Sequence, residues 1–155
     1  MPGLTNPRQG RPLPETLPVD TVLELTDAPS ATDPAGLRDR TLIALLYASG
    51  LRVGEVVSLD VRDADLRRLT VRVTGKGRKT REVPLHARAA EAIGAWLPER
   101  GRFLGAGGWD HDHGALFLNQ RGGRLSDRSV RRVLDKAVLR GGVGAHVHPH
   151  MLRHS

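Results

Sequence analysis

His150 and Arg153 stand three positions apart near the end of the chain, in the run Pro-His-Met-Leu-Arg-His. Residues at i and i+3 of a helix share one face, so the two side chains are predicted to point at one target. An imidazole can transfer a proton, while an arginine stays charged and presents a planar fork of donors that fits a phosphate. The pair is therefore a candidate for proton transfer and charge stabilisation at a phosphate group.

A second arginine, Arg52, follows a predicted glycine turn at Gly50. The turn places Arg52 at or near a helix N-terminus, where free backbone N–H groups and the helix dipole attract anions. Glu55, three residues on, is expected to orient the Arg52 guanidinium. The alternative is an ordinary surface arginine that begins a helix and pairs with Glu55.

Lys76 lies between two glycines at the predicted tip of a β-hairpin. A slim hairpin tip can reach into a nucleic-acid groove, where an ammonium contacts a phosphate or donates a proton. Arg78, Lys79 and Arg81 follow in the same hairpin and are predicted to bind DNA. The alternative for Lys76 is a solvated turn lysine. A nucleotide-binding P-loop is excluded, because the glycine before Lys-Thr is missing and a strand follows.

Alternating histidines form two groups that could bind a metal. They are His111 and His113, and then His146, His148 and His150. No cysteine, His-Glu-x-x-His motif or tight carboxylate cluster accompanies them, and alternate residues at a helix start diverge. We therefore predict no metal site and no cofactor.

Hydrophobic periodicity predicts the elements that hold these groups, and they define an α+β fold that is mostly helical, with three short strands. A first helix begins at Asp33, with Pro34 in its first turn, and ends near Gly50. Tyr47, the only tyrosine, is predicted to pack at the core edge. The other predicted helices are 52–59, 86–97, 125–140 and one that begins at 150; the strand candidates are 61–66, 69–73 and 81–85, and residues 115–118 form a strand or turn.

The chain's bulk properties restrict its class. Its 155 residues suit one domain, predicted over 19–155, and residues 1–18 hold five of the ten prolines, as a linker or disordered arm would. Net charge is +7, with 21 Arg against 3 Lys, which favours a polyanionic partner unless the gene's base composition alone raises the arginine content.

The sequence predicts neither secretion nor membrane insertion. There is no Cys, which excludes disulfides and thiolate–metal sites. The longest apolar run, 42–48, is too short to cross a bilayer, and the N-terminus lacks the order of a signal peptide. A cytoplasmic protein without membrane contact is expected.

Three stretches, residues 45–55, 73–85 and 148–154, together resemble the tyrosine recombinase (phage integrase) family. They read LLYASGLRVGE, VTGKGRKTREVPL and HPHMLRH. The resemblance extends over about residues 19–155 and implies the larger part of a DNA breaking-rejoining catalytic domain, with a three-stranded antiparallel sheet.

The resemblance gives each candidate residue a role. Arg52 and Arg153 would clamp the non-bridging oxygens of the scissile phosphate, His150 would transfer a proton, and Lys76 would protonate the leaving 5′-hydroxyl. Such enzymes break a strand of double-stranded DNA through a covalent 3′-phosphotyrosine, which conserves the bond energy. Charge stabilisation then acts without metal or nucleotide.

The chain also departs from the family pattern. The nucleophilic tyrosine of the family would fall past Ser155, and no counterpart of the family's N-terminal DNA-clamping domain is expected within these residues. The resemblance therefore implies a fragment, truncated at the C-terminus and inactive alone, that forms the family's homotetramer on DNA only if the missing segment is present. Two further hypotheses are a catalytically inactive DNA-binding remnant and a histidine–metal hydrolase.

Overall fold

In the computed structural model, residues 25–104 and 114–141 are described. Residues 25–27 are helical, and four longer helices and three strands make up the remaining helices and strands of that part. The helices are α1 (Pro34–Ala48), α2 (Val53–Val57), α3 (Ala87–Trp96) and α4 (Asp127–Gly141), and the strands are β1 (Ala64–Asp65), β2 (Thr70–Thr74) and β3 (Thr80–Pro84). Short 3-10 turns span Val61–Asp63 and Leu97–Phe103, and Lys76–Arg78 form the turn between β2 and β3. The predicted α+β class is confirmed.

Helix α1 is the centre of the domain. It begins at Pro34, as predicted, although the Asp33 side chain makes no capping bond. Its second half is buried on all sides, because Leu42, Ile43, Leu45 and Leu46 are all fully inaccessible. A helix that is apolar all round needs neighbours on every face, and α2, α3 and α4 all contact it.

Thr41 shows how a polar side chain is accommodated in α1. It is fully buried, and its hydroxyl lies 2.8 Å from the carbonyl of Leu37 and 3.0 Å from that of Ala92 in α3. Both contacts keep the hydroxyl satisfied away from water, which a buried polar group requires. The contact with Ala92 also joins α1 to α3.

The sheet has the order β1-β2-β3 and is antiparallel throughout. Val71 and Val73 of β2 face the core and are fully buried. The first strand is shorter than predicted, because residues 61–63 form a 3-10 turn in which Asp63 accepts the backbone N–H of Asp60 at 2.9 Å. Such local side-chain bonding competes with strand pairing.

The segment 115–118 lies inside the core. Ala115 and Leu118 make isolated antiparallel bridges with Asp60 and Arg124, and all four residues of the segment are fully buried. The indole N–H of Trp96 in α3 donates to the carbonyl of Leu116 at 2.8 Å. Helix α4 buries the predicted apolar face in the core, namely Val130, Val133, Leu134 and Ala137.

Some predictions fall outside the described residues. They are the proline-rich arm at 1–18 and the helix that begins at His150. Within the described ranges, no helix combines the length and apolar character that a membrane crossing requires.

Candidate functional site

Arg52 stands at the N-terminus of α2, as its position after a glycine turn predicts. Gly50 has φ 64°, a left-handed conformation that glycine adopts without steric cost, and it turns the chain out of α1. Leu51 is fully buried and anchors the turn. Arg52 itself has extended backbone at the N-cap, and its side chain is exposed. An exposed guanidinium in the first turn of a helix is suited to an anion.

Glu55 acts differently from the expectation that it orients the Arg52 guanidinium. Its Oε1 accepts the backbone N–H of Arg52 at 2.9 Å, which caps α2. Its carboxylate also pairs with the guanidinium of Arg81, at 3.0 Å from Nη1 to Oε2 and 3.3 Å from Nη2 to Oε1. The expectation is corrected: Glu55 binds the backbone of Arg52 and the side chain of Arg81.

The pKa of Glu55 reflects this double contact. Burial acts to raise the pKa of its carboxyl, but the hydrogen bonds from Arg81 and the Arg52 backbone, together with the two guanidinium charges, outweigh burial and lower it. Bonds that favour the charged form lower the pKa of an acid. The carboxylate is therefore held ionised.

The hairpin that carries Lys76 has the predicted turn. The N–H of Gly75 donates to the carbonyl of Lys79 at 2.8 Å, and the N–H of Arg78 donates to that of Gly75 at 3.2 Å. Gly77 and Arg78 have φ 74° and 61°, so both residues at the tip of the hairpin adopt the left-handed backbone conformation. The Arg78 and Lys79 side chains are exposed.

The predicted site residues divide into two groups. The Arg52 segment and the Lys76 hairpin are brought together through Glu55 and Arg81. His150 and Arg153 lie outside the described residues, so their place beside Arg52 stays a prediction.

Two further predictions concern Tyr47 and a metal site. The side chain of Tyr47 is partly buried and packs against the core, which confirms the prediction for it. The alternating histidines of the metal hypothesis lie outside the described residues; they are His111, His113, His146, His148 and His150. Among the residues that are described, no group of His, Cys, Asp or Glu side chains could hold a metal ion.

The sequence interpretation missed one buried ion pair. Arg38 donates to Asp39 at 2.9 Å and to the carbonyl of Leu118 at 3.0 Å, and its guanidinium lies 5.4 Å from the ring centre of Phe103. Burial raises the pKa of Asp39, and the Arg38 charge and hydrogen bond offset this only in part. The pair ties α1 to the 115–118 segment and has a structural role. Adjacent charges in a helix gave no sequence signal for it.

Solved structures of site-specific recombinases share this fold. The crystal structure of XerA recombinase superposes with a TM-score of 0.76 at 27% identity, over 94% of this chain and 49% of that one. The XerH site-specific recombinase bound to its difH substrate, in a pre-cleavage complex, gives 0.75 at 26% identity, over 94% and 42%. The fold is that of a tyrosine recombinase catalytic domain.

Residues 15–155 match the phage integrase family, and the chain belongs to that family. A curated relative, the tyrosine recombinase XerC of Chromohalobacter salexigens, is 43% identical over 149 residues, which are 96% of this chain and 48% of the relative. The chain thus spans about half the length of the curated relatives it matches. These curated relatives are named as tyrosine recombinases.

Proposed function

We propose that this chain belongs to a site-specific recombinase that exchanges DNA strands by metal-free transesterification through a 3′-phosphotyrosine. The observation that carries the proposal is the exposed Arg52 at the α2 N-cap, joined through Glu55 and Arg81 to the Lys76 hairpin. An exposed guanidinium at the N-terminus of a helix can stabilise negative charge that develops on a phosphate.

The roles follow from the chemistry of each side chain. Arg52 and Arg153 hold the non-bridging oxygens of the scissile phosphate, since a guanidinium offers paired donors. His150 transfers a proton, and Lys76 protonates the 5′-oxygen as it leaves. In balance, the tyrosine hydroxyl gives its proton to His150 as its oxygen forms a bond to phosphorus. The bond from phosphorus to the 5′-oxygen breaks, and that oxygen takes up a proton from Lys76.

The nucleophile in this proposal is not Tyr47. Tyr47 is the only tyrosine in the sequence, and it is partly buried against the core within α1. A nucleophile must reach the phosphorus from a position opposite the leaving oxygen. The proposed nucleophilic tyrosine therefore belongs to a segment that these 155 residues do not contain, and the chain alone is inactive in cleavage.

The proposed substrate is double-stranded DNA. The XerH relative is described as bound to a difH substrate, and the exposed Arg78 and Lys79 at the hairpin give this chain cations for phosphate contacts. The proposal includes a homotetramer on DNA when the C-terminal segment is present, and a cytoplasmic location.

A suicide-substrate assay tests the proposal on a version of the chain extended at its C-terminus by the corresponding segment of a XerC relative. The expected result is a covalent protein–DNA adduct that the R52A variant forms on the order of 10²–10³ times more slowly. R67A is a matched control, because Arg67 is also exposed but lies in the turn at the opposite end of the sheet. An adduct that forms equally fast in R52A, or no adduct in the unchanged protein, contradicts the proposal.

The second candidate is a DNA-binding remnant without catalysis, which the net charge of +7 and the exposed hairpin cations favour. The logarithm of its affinity for DNA should fall linearly with the logarithm of the salt concentration. Salt-dependent binding by the 155-residue chain, combined with no adduct in the extended version, would select this function.

A further inference from the structure

We propose that Arg81 is a positioning residue, which acts through Glu55 to fix the Lys76 hairpin against the N-terminus of α2. This inference rests on the proposed function and deepens it, because it states what presents Lys76 and Arg52 to one phosphate. The hairpin sequence predicts Arg81 as a DNA contact, whereas its guanidinium is committed to a carboxylate.

The first step is the geometry of the pair. Two guanidinium nitrogens of Arg81 reach the two oxygens of Glu55, at 3.0 and 3.3 Å, in the paired arrangement that gives arginine its directional strength. The Glu55 side chain is only 14% exposed, while that of Arg81 is 51% exposed. A phosphate at Arg81 would have to share the guanidinium with a shielded carboxylate that already bonds to both of its terminal nitrogens.

The second step is the other contact of Glu55. The same Oε1 accepts the backbone N–H of Arg52 at 2.9 Å. The Glu55 carboxylate therefore bonds to Arg52, which is proposed to clamp the phosphate, and to Arg81 in β3, the strand that follows the Lys76 hairpin. Glu55 and Arg81 are 26 residues apart in sequence, so the link joins two separate elements.

The third step is the position of the pair relative to Lys76. In the sheet register Arg81 pairs with Val73, two residues before Gly75. A Cβ placed on Gly75 would lie 3.6 Å from Arg81 Nη1 and 3.8 Å from Glu55 Oε2. The ion pair thus lies against the backbone that directly precedes Lys76. A shift of that backbone would move the hairpin relative to Arg52.

The first test uses the full 155-residue chain and measures binding to a DNA duplex at several salt concentrations. Removal of a phosphate contact lowers the slope of log affinity against log salt by about 0.9. R78A should show this loss, because Arg78 is an exposed cation of the same hairpin. R81A should leave the slope unchanged. A slope that falls in R81A as it does in R78A would overturn the proposal.

Amide hydrogen exchange of the same chain gives the second readout. In R81A, the N–H groups of Arg52 and Gly75 should exchange about tenfold faster, since local opening becomes easier there. The N–H of Leu116, which bonds to the carbonyl of Leu59 at 2.9 Å, reports the stability of the core and should not change. Equal acceleration at all three sites would make Arg81 a general stability residue and would refute the positioning role.

E55Q provides the second variant, and it keeps the shape of the side chain. It should accelerate the same two amides, and the R81A/E55Q double variant should add little, because both changes break one link. If R81A does not fold, the single variants R81K and E55Q take its place in both measurements. Additive effects in the double variant would count against a shared link.

A third readout concerns the extended version used in the adduct assay. R81A should form adduct on the order of 10–100 times more slowly with unchanged affinity for DNA, because a misplaced reacting group costs rate. An unchanged rate in R81A, while the unchanged protein forms adduct, defeats this inference alone. Absence of adduct in the unchanged protein defeats the proposed function instead.

Discussion

Arg124 and Asp60 join the end of α2 to the segment that precedes α4. Nη2 of Arg124 donates to Oδ1 of Asp60 at 2.7 Å, and Nη1 donates to the carbonyls of Val57 and Leu59 at 3.0 and 3.1 Å. Both side chains are about three-quarters buried, at 27% and 23% exposed. One guanidinium therefore satisfies three acceptors that lie more than sixty residues away in sequence.

Replacement of Arg124 by methionine should lower the free energy of unfolding by about 2–3 kcal/mol, because charge-assisted bonds are lost and their acceptors stay partly buried. Urea unfolding followed by circular dichroism measures the change. R121M is the control, since Arg121 is an exposed neighbour, and a change within about 0.5 kcal/mol is expected there. Equal stabilities of the two variants would show that Arg124 does not anchor this junction.

Leu69, in the turn before β2, has a strained backbone conformation. It has φ 56° and is 42% exposed. A side chain in this left-handed region costs about 1 kcal/mol or more, and glycine or asparagine adopts it more readily. L69N should therefore raise the free energy of unfolding by about 0.5–1 kcal/mol in the same urea experiment. Destabilisation by L69N would mean that the lost apolar contacts outweigh the strain.

Much of the fold follows from local sequence signals. Pro34 and Gly50 limit α1, and the alternation of Val71 and Val73 identifies the inward face of β2. The length of β1 could not be predicted from these signals. The side chain of Asp63 bonds to the backbone of Asp60 and competes with strand pairing, and an alternation of apolar residues does not reveal such a bond. The segment 115–118 was equally ambiguous, since four apolar residues suit a strand or a turn.

The site was predictable only in its individual residues. Arg52 follows a glycine turn and Lys76 lies in a glycine-flanked one, so both have local signals. The role of Glu55 depends on Arg81, which is 26 residues away, and spacing within a helix pointed to Arg52 instead. Tertiary partners of a charged side chain are set by how the sheet packs on the helices, which a sequence pattern does not specify.

The pH dependence of stability should report the Glu55 link. Its folded-state pKa is lowered from 4.5, so the stabilisation is fully present above about pH 4.5 and is lost as pH falls through the folded pKa. E55Q should therefore be about 1 kcal/mol less stable than the unchanged protein at pH 7, a modest value because Arg81 is half exposed. That difference should shrink as pH falls below 4.5.

Urea unfolding of both proteins from pH 7 to pH 3 measures this trend. E91Q serves as a control at pH 7, because Glu91 is an exposed carboxylate on α3, and a change within about 0.5 kcal/mol is expected. A difference between E55Q and the unchanged protein that grows as pH falls would contradict the ionised link.

The proposed acid role of Lys76 can be separated from simple DNA binding by changing the leaving group. In the extended version, K76A should form adduct on the order of 10²–10⁴ times more slowly, because the leaving 5′-oxygen is no longer protonated. A substrate with sulfur in place of that oxygen leaves as a thiolate, which needs no proton because a thiol is far more acidic than an alcohol. K76A should then recover nearly the full rate, whereas R52A should stay slow, since its guanidinium acts on the non-bridging oxygens.

Rates of adduct formation on the two substrates measure this contrast. Equal deficits of K76A on oxygen and sulfur substrates would assign Lys76 to binding the phosphate and leave the proton donor to another residue.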